Sequence, residues 1–129
     1  MQSAAGTLSL QSPHSIDATL SRLQTVIAGR GLTLFAHIDH GEGARLAGLA
    51  MQPAHVLVFG NAKAGTPVMN AYPQSALDLP LKVLVWEDAD HQVWATFSTP
   101  EYFASRYGIE AALMKPLSGV EALVRAALG

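Results

Sequence analysis

The chain has 129 residues, half of them hydrophobic and only 14% charged, with a mean hydropathy of +0.24 and a formal charge of −2. One domain of this size buries roughly two thirds of the surface its unfolded chain exposes, so it folds without help from a disulfide or a metal. The eight Lys and Arg residues form no basic run and cysteine is absent, which excludes the phosphate neutralisation of a nucleic-acid binder, thiol nucleophiles, redox pairs and zinc ribbons.

Residues 1–5 are expected to be disordered, and the opening MQSAAGTLSLQSPHS has neither the basic segment nor the apolar run of a secretory signal. Thr7 to Gln11 can form a first strand. Ser15 is a good N-cap, after which Ile16, Leu20, Leu23 and Ile27 fall on one helical stripe that Gly29 and Gly31 bring to an end. A second strand runs from Leu32 to about Ile38, followed by a short small-residue helix, GEGARLAGLA. His55 to Phe59 is a nearly continuous apolar strand of the kind buried on both faces.

Thr66 and Pro67 read as an N-cap and N1 pair opening a brief helix, PVMNAY, which Pro73 interrupts before a second turn ends near Leu79. Leu81 to Trp86 and Val93 to Phe97 bracket the polar turn EDADHQ and predict an antiparallel hairpin. Thr99, Pro100 and Glu101 start another helix, which Gly108 terminates, and Leu117, Val120, Leu123, Val124 and Leu128 stripe the last one. The order is βαβαβαββαα. It predicts one α/β (α+β) domain over residues 1–129, with a mixed five-stranded sheet. No apolar run approaches the roughly 18 residues of a spanning helix, so a soluble cytoplasmic protein with no membrane partner is expected. The low charge content predicts an apolar surface patch and self-association.

Three groups of residues are candidates for chemistry. Gly60 to Gly65 reproduces the G-x4-G spacing of a P-loop after a strand, but Thr66 and Pro67 stand where Lys and Ser or Thr are needed. Nucleotide hydrolysis is therefore not expected. Asn61, Lys63 and a helix N-terminus at Thr66 could together hold a small anion, although a tight strand-to-helix turn with a solvated Lys63 would use the same residues. His37, Asp39 and His40 are the one cluster of metal-type ligands and could bind a divalent metal. Asp39 has a second reason to exist, as an N-cap with Glu42 at N3.

Lys82, within an otherwise apolar strand, is a contact for an anion or else a lysine reaching to solvent along its own stem. Trp86 and Trp94 read as core or interface aromatics. His14, His55 and His91 have no partner that the sequence identifies.

The stretches FAHIDH with Ala44, VFGNAKAGTPVM, ALDLPLKVLVWED, and Pro100, Tyr102 and Arg106 to Gly108 resemble the bacterial domain of unknown function family 302. The resemblance runs from Thr19 to the C-terminal helix, with Ala62 where relatives generally have proline. It implies a compact α/β fold and a homodimer, and no activity. It marks as pattern positions Asp39, His40, Asn61, Lys63, Thr66, Asp78 and Lys82, besides glycines, prolines and Leu79. A crossover helix would make strands two and three parallel and bring Asp39 and His40 to the edge that holds Asn61 and Lys63. Lys82 would join them only with strand four antiparallel to strand three.

With no nucleophile placed beside a base, the leading expectation is a binding module for a small anionic ligand or a metal, through segments 37–42 and 60–67. The alternative is a small hydrolase or lyase with His40 as general base, Asp39 orienting it and Lys63 stabilising an oxyanion.

Overall fold

The computed structural model describes residues 4–129, so the N-terminal disorder expected for residues 1–5 falls largely outside the described residues. Five strands, β1 (Thr7–Ser12), β2 (Thr33–Asp39), β3 (Ala54–Gly60), β4 (Leu81–Glu87) and β5 (Val93–Ser98), form one sheet. Helices α1 (Ile16–Gly29), α2 (His40–Leu46), α3 (Ala62–Ala71), α4 (Pro100–Tyr107), α5 (Ala111–Met114) and α6 (Val120–Leu128) complete it, with 3-10 segments at Pro73–Asp78 and Lys115–Leu117. The single α/β domain and the order of its elements agree with the sequence; α5 adds one turn that the sequence did not announce.

The sheet order is β1-β5-β4-β3-β2 and every pairing is antiparallel, which corrects the expectation of a mixed sheet. The short α2 does not carry the chain across the sheet to a parallel neighbour. It sits in a return loop, so β3 runs back alongside β2 with Asp39 opposite His55 and Thr33 opposite Gly60. A bulge between Leu34 and Ala36 shifts the register near the start of β2.

Strand parity divides the sheet into two unlike faces. Leu57 and Phe59 on β3, Val83 and Val85 on β4, and Ala95 and Phe97 on β5 point to the face covered by α1 and α6, where they join Leu23, Ile27, Leu123 and Val124 in the main core. The predicted stripes therefore pack as read, except that Leu117 lies in the 3-10 segment ahead of α6 and joins a smaller cluster. Ser15 caps α1 by accepting the Ala18 N–H at 3.1 Å, and a buried Ser12–Thr19 hydroxyl pair at 2.7 Å pins β1 to that helix.

The opposite face carries Val56, Val58, Lys82, Leu84, Trp86, Trp94 and Thr96. It has no helix layer like that of α1 and α6, and Val56, Val58, Leu84 and Thr96 stay half-buried. The expectation that β3 is buried on both faces thus holds for one face alone. A smaller cluster, built from Val68 of α3, Ile109, Met114 and Leu117 with Phe103 and Tyr107 against them, fixes α3, α4 and α5 beside one end of the sheet.

The predicted hairpin is present, with Trp86 opposite Trp94 and their rings stacked 6.4 Å apart at 26°. Asp88 organises its turn by accepting from the Trp94 indole N–H and from the Gln92 and Asp90 amides, each at 2.9 Å. The indole bond first, and then the Gln92 amide, hold the Asp88 carboxyl below its ordinary value against a smaller opposing effect of burial. A carboxyl depressed in the folded state stabilises it above the unfolded-state value and loses that contribution as pH falls through the lower, folded-state value. Acidification through and below the ordinary carboxylate range is therefore expected to release the Trp94 indole N–H, seen as exchange broadening of its proton resonance. The Asp88→Ala variant should lack this acid step, and an identical profile in both proteins would refute the assignment.

Candidate functional site

The antiparallel register decides where each candidate residue goes. Asp39 and His55 share one end of the β2–β3 pair, whereas Gly60 and the start of α3 lie at the other, five residues or about 17 Å along β3. Segments 37–42 and 60–67 are thus not brought together. Lys82 does follow from antiparallel β3 and β4: it pairs with Val58, on the Asn61 side of the sheet rather than beside Asp39.

At the first end, Asp39 is the N-cap of α2, its Oδ1 accepting the Glu42 N–H at 3.0 Å. That bond is the first cause of its lowered pKa, with His55 and His37 adding attraction and burial opposing it. Its Oδ2 lies 4.0 Å from His55 Nδ1, and the same nitrogen meets His37 Nε2 at 2.9 Å. His55 is the residue that sequence reasoning missed. Only the register places it opposite Asp39, and the usable signal was parity, since His37 and Asp39 face one way and an antiparallel β3 puts His55 on that face. His40 leaves the group to line a cleft on the other face. Among the described residues, no three His, Asp or Glu side chains stand so as to hold a metal ion as they are placed.

At the second end, the helix begins earlier than the Thr66–Pro67 pair suggests. Asn61 caps α3, its side-chain oxygen accepting the Lys63 N–H at 2.8 Å, and Ala62 is the first helical residue with Pro67 inside the helix. GNAKAGT is therefore mostly helix, a correction to the anion-holding loop. Lys63 is exposed on its first turn. Thr66 and Asn61 border a small apolar hollow of about 180 Å³ with Phe35, Met69 and Pro80, and Lys63 does not line it.

A larger cleft, of about 540 Å³, lies over the uncovered face of the sheet. Val56, Leu84 and Thr96 form its floor, Tyr102, Phe103 and Arg106 of α4 one wall, Asp78 and Leu79 another, and His40 its rim. Thr99 fixes α4 by accepting the Tyr102 N–H at 3.2 Å, and Gly108 ends that helix in the left-handed conformation at φ 67°, as the sequence predicts.

Two charged groups of the cleft neutralise each other. Asp78 Oδ2 accepts from Arg106 Nη1 at 2.6 Å and from the Tyr107 hydroxyl at 2.5 Å, and the second bond is the main reason the Tyr107 hydroxyl is held above its ordinary range. Lys82 also lines the cleft, and its ammonium donates only to the Pro80 carbonyl at 3.2 Å. It is the cation there without a carboxylate partner among the described residues. A predominantly apolar hollow with a few convergent polar groups is the usual form of a small-molecule site. His40, Asp78, Leu79, Lys82, Tyr102 and Arg106 all border this one hollow.

The fold is shared with the crystal structure of an uncharacterized conserved protein DUF302 from Bacillus stearothermophilus, at TM-score 0.80 and 18% identity over 97% of both chains. In sequence the chain is similar to two fluoride-specific ion channels. One is FluC 1 of Brucella suis biovar 1 (strain 1330) and the other FluC 2 of Brucella melitensis biotype 1, each 32% identical over 97% of the chain. The match covers 51% and 48% of those proteins, so the chain spans about half the length of the curated relatives it matches. Among the described residues no helix is long and apolar enough to cross a membrane. The family profile "Domain of unknown function DUF302" matches residues 8–128, and together with the shared fold it establishes that the chain belongs to the DUF302 family.

Proposed function

We propose that this domain is a binding module whose ligand is a small organic anion with an apolar body, seated in the cleft over the uncovered face of the sheet. The observation that carries the proposal is Lys82, an ammonium without a carboxylate partner beside an apolar floor. A ligand carboxylate or sulfonate would gain a charge-assisted hydrogen bond there, while its apolar part covers Val56 and Leu84. Asn61, Lys63 and Thr66 are given no part in this site, and the hydrolase reading loses its parts. Asp39 directs its oxygens at Glu42 and His55 rather than His40, and Lys63 is at the far end of β3.

The domain is proposed to act as a homodimer. Among the described residues β2 ends the sheet with one edge unpaired, and all its residues are exposed, Phe35 at 53% and Ile38 at 45%. Leu46, Leu49 and Met51 extend the exposed apolar surface just after it in the chain, the kind of surface that marks an interface.

Native mass spectrometry of freshly purified protein should show a dimer, and titration with 1-naphthoate, followed by thermal shift, should show saturable binding. Lys82→Ala is expected to weaken that binding by about tenfold, which is about 1.4 kcal/mol, with the fold intact. Equal affinity in the folded variant would overturn the site, and a monomer would overturn the dimer.

A further inference from the structure

We infer that the β2–β3 edge is a site for a borderline-soft divalent metal such as Zn²⁺, built from the imidazoles of His37 and His55 with Asp39 as the third ligand. It lies on the sheet face opposite the cleft and rests on separate observations, so either site can fail alone. The two imidazoles meet by their nitrogens rather than by their ring faces. Nε2 of His37 is 2.9 Å from Nδ1 of His55, while the ring centroids stay 5.1 Å apart at 51°. A contact of this kind between two neutral rings is held by one proton, and a metal ion replaces that proton while using both lone pairs.

The carboxylate is divided in a way that suits a third ligand. Oδ1 of Asp39 is engaged by the Glu42 amide, which fixes the carboxylate plane, and Oδ2 is directed toward His55 at 4.0 Å. His55 is the anchored member, with its side chain 14% exposed, and Asp39, at 47%, leaves an entry path from solvent.

Donors around a tetrahedral ion with bonds of about 2.0–2.1 Å stand roughly 3.3 Å apart. The two nitrogens must therefore separate by about 0.4 Å, and Asp39 Oδ2 must approach His55 Nδ1 by less than about 1 Å. As placed the three groups do not close on a point, but His37 and Asp39 are exposed on an edge strand, where side-chain rotation of this size meets no packing within the protomer. Two imidazoles and one carboxylate select Zn²⁺, Ni²⁺ or Cu²⁺ over Mg²⁺ or Ca²⁺, which take oxygen ligands. Water completes the coordination. The sheet contributes the spacing, because His37 and Asp39 alternate on one face of β2 and His55 sits directly across from Asp39.

The test is calorimetric titration of the full chain, freed of metal by chelator and dialysis, with Zn²⁺ alone. One equivalent should bind, and His55→Ala and His37→Ala should each weaken binding by at least tenfold. Asp39→Asn, which keeps the helix cap, should weaken it less but measurably. His14→Ala, which lies beyond β1 at the other edge of the sheet, should leave it unchanged. Far-UV circular dichroism checks the fold, and the exposed His37 gives a variant that keeps it even if His55→Ala does not. Absence of saturable binding overturns the proposal, as does binding that survives His37→Ala or is lost in His14→Ala.

Discussion

Replacing Phe59 by alanine is expected to reduce the free energy of unfolding by about 3–5 kcal/mol, the range for truncating a buried aromatic. Phe59 is fully buried on the helix-covered face of β3, and its backbone pairs with Leu81 of β4 on one side and Leu34 of β2 on the other. A cavity there cannot be filled by the sheet, whose strands are held by their hydrogen bonds. It can be filled only by side chains of the covering helices leaving their rotamers. A large share of the stability typical for a domain is at stake. Urea denaturation of wild type and Phe59→Ala would measure the change, and a loss below about 1 kcal/mol would mean that the face collapses more readily than its packing implies.

The second large effect is expected at Gly6, whose φ of +77° lies in the left-handed region. A methyl group added there would stand 2.1–2.5 Å from three ring carbons of Tyr102, far inside any real contact. These are atoms near the root of the ring, so a small torsion does not clear them. Gly6 also accepts the Thr99 N–H at 2.8 Å, which ties the start of α4 to the chain just before β1. Gly6→Ala should therefore combine backbone strain of about 1–2 kcal/mol with displacement of the Tyr102 ring, for about 2–4 kcal/mol in all. Adding Tyr102→Ala should recover the steric part and leave the strain. The double variant would then be more stable than the sum of the single losses. Strict additivity by thermal and chemical denaturation would show that the ring and the glycine do not interact.

Most of the fold was legible because its signals are local. Ser15 with the 20, 23, 27 stripe, Thr99 with Gly108, and the two apolar runs around the EDADHQ turn each specify an element within a dozen residues, and each forms as read. Strand direction was not legible between β2 and β3. A helix in the connection is compatible with a parallel crossover or with an antiparallel return, and nothing in GEGARLAGLA separates them. That one ambiguity governed the candidate site. It set Asp39 and His40 beside Asn61 and Lys63 on paper, where the antiparallel register sets them apart and supplies His55 instead. The start of α3 was misplaced for a related reason. Thr66–Pro67 is a strong capping pair in isolation, but Asn61, directly after β3, caps first and the helix tolerates Pro67. Lys82 stands out in the sequence as a charge in an apolar strand, yet the cleft it borders consists of residues from β3, β4, β5, α4 and the 3-10 segment, and no sequence window contains them.

The pairing of β1 with β5 has a consequence for how the protein is made. Ser9 meets Thr96 across 87 residues of chain, and α6, later still in the chain, covers the core together with α1. At ribosomal rates of about 5–20 residues per second, an emerging β1 has no partner for roughly 4–17 s. The apolar face it helps to form is not closed until α6 has been made as well. A nascent chain halted before α6 would therefore keep that face open and remain a client for chaperones.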